Sequence, residues 1–583
     1  MTGGTQEDRV TRYDIVIRGG EIHNGSGRPG RVGDVAIRDG LIVALDQVEG
    51  RGVEEIDAAG CIVTPGFIDV HTHYDGQAMW ENTLAPSSNH GVTTVVMGNC
   101  GVGFAPCRPD QHDMLVELME GVEDVPEIVM TTGLPWNWET FPDYLDALDR
   151  RQLDIDVAAQ LPHSAVRVYV MGKRGAGREA PTSDDLKQMR AITAEAIRSG
   201  AIGVSTSRNI LHRTKAGEMA PSLFSDKDEL LALAEGLRDA GAGVFQMIPQ
   251  VTGNAAEEFA LMRCIAETSG RPLAFSLLQM QTGDPGAWQQ SLALLADAVA
   301  DGVTMRAQVF PRPVGFLYGL DLSFHYFTLH PSYKAIAHLP LTDRVAALRD
   351  PDMRARLIAE QPSSSNEVEL ALCKQFKYAF PMGDPPNYAP DAADQIARRA
   401  AGLGLSVPEY ALDLLVGDEG RAIFFLPGAN YRDGNLDAAR TMARDPNTVL
   451  GLGDGGAHYG MICDASYPTS YLQSWVRDAP PATAIPLPEA IRSLAWEPAL
   501  SVGLEDRGRL ELGHRADVNV IDLKALRLHA PTTAHDLPAG GRRLRQRADG
   551  YVATVAGGVV TYRNGEHTGA LPGRLVRGAR SAP

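Results

Sequence analysis

From Cys61 onward the chain settles into a repeating rhythm of strand, loop and helix, and that rhythm restricts the fold more than any other feature. Eight short apolar, β-rich runs stand out: Ile62–Val70, Val92–Met97, Ile155–Gln160, Ala201–Ser205, Gly243–Ile248, Pro272–Leu278, Thr304–Phe310 and Thr448–Gly453. Helical stretches rich in Ala, Leu, Glu and Arg precede most of them, such as Ser183–Ser199, Asp226–Asp239 and Ala255–Thr268. Ser183 with Asp184 and Asp185 supplies a helix start. Strands that alternate with helices imply a parallel sheet, and this number of them implies closure. The expected fold class is α/β, a (β/α)8 TIM-like barrel. A doubly wound open sheet is the alternative, but no GxGxxG follows the first run.

The ends of the chain read differently. Residues 13–57 alternate short β patterns with glycine turns, and Asp39-Gly40 between two apolar strands signals a hairpin. After a predicted helix at Leu487–Ala499, β character returns in GRLELGHRADVNVIDL and GYVATVAGGVVTYRNG. The economical assembly is one small β-sandwich built from both termini beside the barrel. The expected domains are 1–60, the barrel at 61–500 and 501–583. The segment Pro311–Asn447, between the seventh and eighth strands, is too long for a simple connection and carries Phe316, Tyr318, Phe324, Tyr326, Phe327 and Tyr333. It caps the site or forms an oligomerisation surface. A mobile tail is expected after Arg574.

A net charge of −19 argues against nucleic acid or an anionic membrane as partner. No apolar run approaches a membrane span, and MTGGTQEDRV shows no secretory signal. The six cysteines form no close CxxC pair, which fits reduced thiols in a cytoplasmic protein. The expected partner is a small-molecule substrate, in a homo-oligomer.

The first strand ends in CIVTPGFIDVHTH. Residues two apart on a strand share a face, so His71 and His73 present two imidazoles side by side, as a single metal ion requires. Active sites in such barrels lie at the carboxyl ends of the strands. There the second strand ends in Gly98-Asn99-Cys100-Gly101, the third is followed by Pro162-His163-Ser164, and the eighth ends in GDGGAH, with Asp454 and His458. Histidine with thiolate favours zinc over magnesium or calcium. Each residue has a plainer reading. Cys100 could be a buried thiol, Asp454 a turn cap, and His163 and His458 core or surface histidines. Asp69 shares the parity of His71 and could orient it, or could accept a local turn hydrogen bond.

These stretches resemble the amidohydrolase superfamily and, within it, the N-acyl-D-amino-acid deacylase (D-aminoacylase) family. The matching pieces are PGFIDVHTHYD (65–75), GVTTVVMGNCGVGFAP (91–106), GAIGVSTS (200–207), TVLGLGDGGAH (448–458), GRLELGHRADVNVID (508–522) and HTGALPGRLVRG (567–578). The resemblance implies a metal-bearing barrel with a β-sandwich from both termini. It implies ligation by His71, His73, Cys100 and Asp454, and a proton-shuttle role for Asp454 in metal-assisted hydrolysis of a non-peptide amide bond. A donor such as His163 would assist the developing oxyanion.

The family carries a histidine at the tip of the fifth strand and another at the sixth. Here those tips read VFQMIPQ and LAFSLLQ, with Gln246, Gln250 and Gln279 as the polar residues. One zinc ion per chain is therefore expected, held mainly by His71, His73 and Asp454, with Cys100 as a further ligand. His163, Gln246, Gln279 and His458 are the candidate substrate contacts. The family's basic residue for a substrate carboxylate is not evident, which brings in an uncharged or cyclic amide, or a urea, as an alternative substrate. The third reading is a metal-free barrel acting as a binding or assembly module.

Overall fold

The computed structural model describes residues 12–223, 225–250 and 253–578. Eight parallel strands form one continuous sheet: β1 Phe67–Asp69, β2 Val92–Met97, β3 Asp156–Pro162, β4 Gly203–Ser207, β5 Val244–Ile248, β6 Leu273–Ser276, β7 Met305–Val309 and β8 Thr448–Leu450. They pair in chain order, as in Phe67↔Val92, Thr94↔Asp156, Gln160↔Gly203 and Ala307↔Thr448. The barrel closes just beyond the strand ends. Asp454 N–H donates to the His71 carbonyl at 3.1 Å, and His73 N–H donates to the Gly455 carbonyl at 2.7 Å. Every residue of β2 is buried, as expected for strands covered on both faces.

The helices follow from local sequence. Ser183–Ser199 begins at Thr182, whose side chain accepts from Asp185 N–H while the Asp185 carboxylate returns the contact, and it ends at left-handed Gly200. Lys227–Ala240 is capped by Asp226, and Ala255–Ser269 by Asn254. The expected helix Leu487–Ala499 is two, Leu487–Leu494 and Trp496–Ser501. Ala495 leaves helical geometry between them, and Pro498 lacks the N–H that a continuous helix would direct at Leu494.

Ile62–Val70 is likewise two strands. Ile62–Pro65 pairs with Val518–Ile521 and Arg12–Ile22 in the sheet made from the termini, while β1 starts the barrel. Gly66 makes the turn where a Cβ would lie 2.1 Å from Thr93 Oγ1. The terminal sheet has nine strands, drawn from 12–65 and 518–567. It curls until Leu41 bridges Arg515, enclosing Ile15, Ile17, Val35, Ile37, Val518, Val520 and Val555. Both chain ends thus supply strands to one β unit beside the barrel.

The tail after Arg574 is anchored through residue 578, contrary to expectation. Val576 N–H donates to the Val157 carbonyl at 2.7 Å, and Arg577 pairs with Asp146 at 2.7 Å. Residues 579–583 lie outside the described set, as does MTGGTQEDRV.

Between β7 and β8 the chain builds a three-stranded sheet from Gly315–Tyr318, Phe424–Pro427 and Phe380–Pro381. Tyr318, Phe327 and Tyr333 are buried in its own core, and Phe316, Phe324 and Tyr326 pack against them. The insertion meets the loop after β8, where Ser323 N–H donates to the Gly460 carbonyl at 3.0 Å. All six cysteines are free. Among the described residues no helix is long and apolar enough to cross a membrane.

Candidate metal centre

The tips of β2 and β8 carry unusual backbone where they approach the tip of β1 closely. Cys100, Leu452, Asp454 and His458 have φ between 48° and 65°, a left-handed conformation uncommon for side-chain-bearing residues. The glycines of GDGGAH serve packing. A Cβ on Gly453 would fall 2.0 Å from Asp69 Oδ2, and one on Gly456 would fall 2.7 Å from the His73 backbone. The β8 loop can therefore lie directly against the β1 tip and bring Asp454 to the histidines.

The donor atoms of His71, His73 and Cys100 lie within 4.8 Å of one another. Cys100 Sγ is 3.4 Å from His71 Nε2 and 3.7 Å from His73 Nε2. Asp454 Oδ1 is 3.5 Å and 3.6 Å from the same two nitrogens. A tetrahedral zinc ion with bonds of about 2.0–2.3 Å separates its ligands by about 3.3–3.8 Å. Those four spacings therefore suit a shared metal.

Two further features favour a cation. His71 Nδ1–H donates to Gln308 Oε1 at 2.9 Å, leaving the Nε2 lone pair facing Cys100 and Asp454. Burial lowers the pKa of His71 to about 4 and of His73 to about 3, so both imidazoles are neutral, the form that binds metal. The acids move the other way. Burial, followed by neighbouring negative groups, raises Cys100 and Glu123 well above their ordinary values. Burial also raises Asp69 to about 8 and Asp75 to about 7. Such a site holds protons unless a cation takes their place.

Asp69 accepts from the His71 backbone N–H at 3.1 Å, so of its two readings the local acceptor is the one seen. His458 joins the mouth through Glu123, Nε2 to Oε2 3.4 Å. His163 is bonded at both ring nitrogens, to Thr206 Oγ1 and Glu229 Oε1, each at 2.8 Å. Gln246 is buried with both amide atoms unpartnered. The Gln279 side chain donates to Asp433 and accepts from Arg432 N–H, both beyond the insertion's last strand.

Two residues at the mouth escape sequence reasoning. Glu123, at the end of helix α1 (His112–Glu123), sits 3.4 Å from His73 Nδ1. His212, in the loop after β4, has its pKa lowered to about 3, by burial first and then by its nearness to His73 and His71. A lone histidine in a polar loop gives no spacing signal. Glu123 extends the apolar face of α1, and an acid on such a face is the available sign of a buried role.

The sequence matches the profile described as Amidohydrolase family over residues 54–562. The chain belongs to the amidohydrolase family. An uncharacterized protein of Mycobacterium tuberculosis (strain ATCC 25618 / H37Rv) is 28% identical over 600 residues, covering 97% of this chain and 94% of the relative. N-acyl-D-aspartate deacylase of Alcaligenes xylosoxydans xylosoxydans is 34% identical over 242 residues, 41% of this chain and 44% of that protein. Among solved structures, D-aminoacylase superposes with a TM-score of 0.64 at 21% identity, covering 97% of this chain and 100% of the other. The N-acyl-D-glutamate deacylase from Bordetella bronchiseptica, complexed with zinc and a phosphonate inhibitor that mimics the tetrahedral intermediate, gives 0.64 at 22% with the same coverage. These structural likenesses show the barrel and its terminal β unit as a fold shared with D-aminoacylases.

Proposed function

We propose that this amidohydrolase cleaves a non-peptide amide bond of a small N-acyl compound, using one zinc ion held by His71, His73, Cys100 and Asp454. The observation that carries the reading is that His71, His73 and Cys100 gather their donor atoms within 4.8 Å, with Asp454 Oδ1 3.5 Å and 3.6 Å from the two histidine Nε2 atoms. When bound, the ion supplies Lewis acidity. Asp454 is the natural proton carrier. Its side chain is 19% exposed while those of His71 and His73 are 1% exposed, so it alone of the three faces substrate and water. It takes a proton from the attacking water and delivers it to the departing amine nitrogen, which leaves poorly unprotonated. Gln308 keeps His71 oriented throughout by accepting from its Nδ1–H. The kinship with N-acyl-D-aspartate deacylase supports an N-acyl-D-amino acid as substrate class. A second reading, a neutral or cyclic amide, draws on the mouth residues described above, where no lysine or arginine pairs with the acids to grip a substrate carboxylate.

The test is a screen of neutral and acidic N-acyl compounds with metal-replete protein, with Asp454→Asn as the control. Hydrolysis by the wild type and none by the variant is expected. Equal hydrolysis by both would remove Asp454 from its role, and a protein that takes up no zinc and hydrolyses none of the compounds would favour the non-catalytic module.

A further inference from the structure

Glu123 lies at the mouth but outside the ligand set, and its position is electrostatically awkward. It ends helix α1, where the helix dipole is negative, and Asp124 follows it with φ 50°. It is 1% exposed. Among the described residues no lysine or arginine pairs with it. The packing of Leu115, Val116, Leu118, Met119 and Val122 carries it inward, because it continues their buried face. A buried acid without a cation is costly, so its placement calls for a compensating group.

Its neighbours identify that group. One carboxylate oxygen is 3.4 Å from His73 Nδ1 and the other is 3.4 Å from His458 Nε2. The Glu123 backbone carbonyl accepts from His458 N–H. Asp124 accepts from Ser323 Oγ at 2.9 Å and Gly460 N–H at 3.1 Å, fixing the same helix end to the insertion and the β8 loop. His73 Nδ1 and Glu123 Oε1 each lack a hydrogen-bond partner and face one another at 3.4 Å, a short step from a direct bond.

The geometry points to Glu123 as a positioning residue that accepts from His73 Nδ1–H, directs His73 Nε2 at Cys100 and Asp454, and holds His458 beside the site. This inference rests on the metal reading proposed above. It gives His73 the support that Gln308 gives His71, with a charge added: a carboxylate behind an imidazole fixes its tautomer and raises its basicity as a ligand.

The experiment measures Zn2+ affinity of the full chain by competition with a chromophoric chelator. Wild type is compared with Glu123→Ala, Glu123→Gln, Asp124→Asn and His71→Ala. Glu123→Ala is expected to bind zinc about 10–100-fold more weakly. Glu123→Gln should recover most of that loss, because its carbonyl oxygen still accepts from His73. Asp124→Asn, which disturbs the same helix end, should keep wild-type affinity. Wild-type affinity in Glu123→Ala would overturn the inference, and so would an equal loss in Asp124→Asn, the mark of a merely structural role. If Glu123→Ala does not fold, Glu123→Asp decides. Its carboxylate is one methylene short, and unchanged zinc affinity would again overturn the role. Zinc bound by wild type and lost in His71→Ala establishes the site whatever Glu123 does, whereas a wild type that takes up no zinc removes the metal reading itself.

Discussion

The two ends of the same barrel solve the burial of carboxylates in opposite ways. At the amino end, Asp156 opens β3 and is met by Arg507 at 2.7 Å and Arg515 at 2.8 Å. Arg507 also donates to Thr94 at 3.0 Å, and the Arg574 backbone N–H donates to Asp156 at 2.9 Å. That cluster ties the C-terminal segment to the barrel floor with its own counter-charges. At the carboxyl end, Asp69, Asp75, Glu123 and Asp454 gather without a lysine or arginine partner among the described residues, and the bases facing Glu123 and Asp454 are neutral imidazoles. Because an unpaired buried charge is costly, the first arrangement is a structural one, whereas the second keeps its acids protonated or offers them to a cation.

The comparison can be broken at either end. The largest effect is expected at the mouth, where Asp454→Asn should lower turnover about 10²–10⁴-fold. Thermal unfolding of that variant should stay near wild type, since a partly exposed side chain is changed. Activity within a few-fold of wild type would contradict the contrast. At the floor, Asp156→Ala takes the shared carboxylate from two buried guanidiniums, leaving Arg507 with Asp506 and Arg515 with Asp517, and should cost up to about 3 kcal/mol of stability in denaturant titrations. Its zinc content should not change. A variant stable as wild type but poor in metal would exchange the roles of the two ends.

A smaller effect is expected at Gln308→Ala, which removes the acceptor for His71 Nδ1–H. Zinc affinity should fall about tenfold, read by chelator competition. Unchanged affinity would make the Gln308 contact incidental.

Glu229 is another buried acid met by a guanidinium, that of Arg167, as Asp156 is by two, and it sharpens the comparison through pH. Burial alone would raise Glu229, but His163 and Arg167 outweigh it and leave the pKa at about 2. The folded value lies below the unfolded one, so the ionised form favours the fold. This contribution is fully present above about pH 4.5. It fades as pH falls toward 2. Acid titration of stability should show this limb in wild type and lack it in Glu229→Gln. An identical acid profile in the two proteins would remove Glu229 from the account.

The barrel was legible because eight buried strands need long runs of apolar, β-branched residues and the helices between them need caps, and both leave marks in order along the chain. Val92–Met97 is read residue for residue. The fused reading of Ile62–Val70 failed because hydrophobicity carries across Gly66 while pairing partners change there. The tail after Arg574 looked free because much of its anchoring runs through backbone hydrogen bonds to Val157 and Gly200, to which side-chain pattern is blind, and the Arg577–Asp146 pair joins residues far apart in sequence. At the site, His71 and His73 announce themselves by strand parity. Cys100 and Asp454 are marked by their strand tips. Glu123 and His212 reach the mouth from a helix end and a loop, and tertiary packing alone brings them in. The insertion's aromatics fill a core of its own, which pattern alone could not separate from a cap or an oligomerisation surface.

Metal content is the most direct measure of the central claim that the mouth is built around a cation. Wild-type protein purified without chelator should carry about one equivalent of zinc per chain by elemental analysis, and the double variant His71→Ala/His73→Ala should carry almost none while keeping its fold. A wild-type chain that stays metal-free after incubation with zinc, or a double variant that binds as much as wild type, would contradict it.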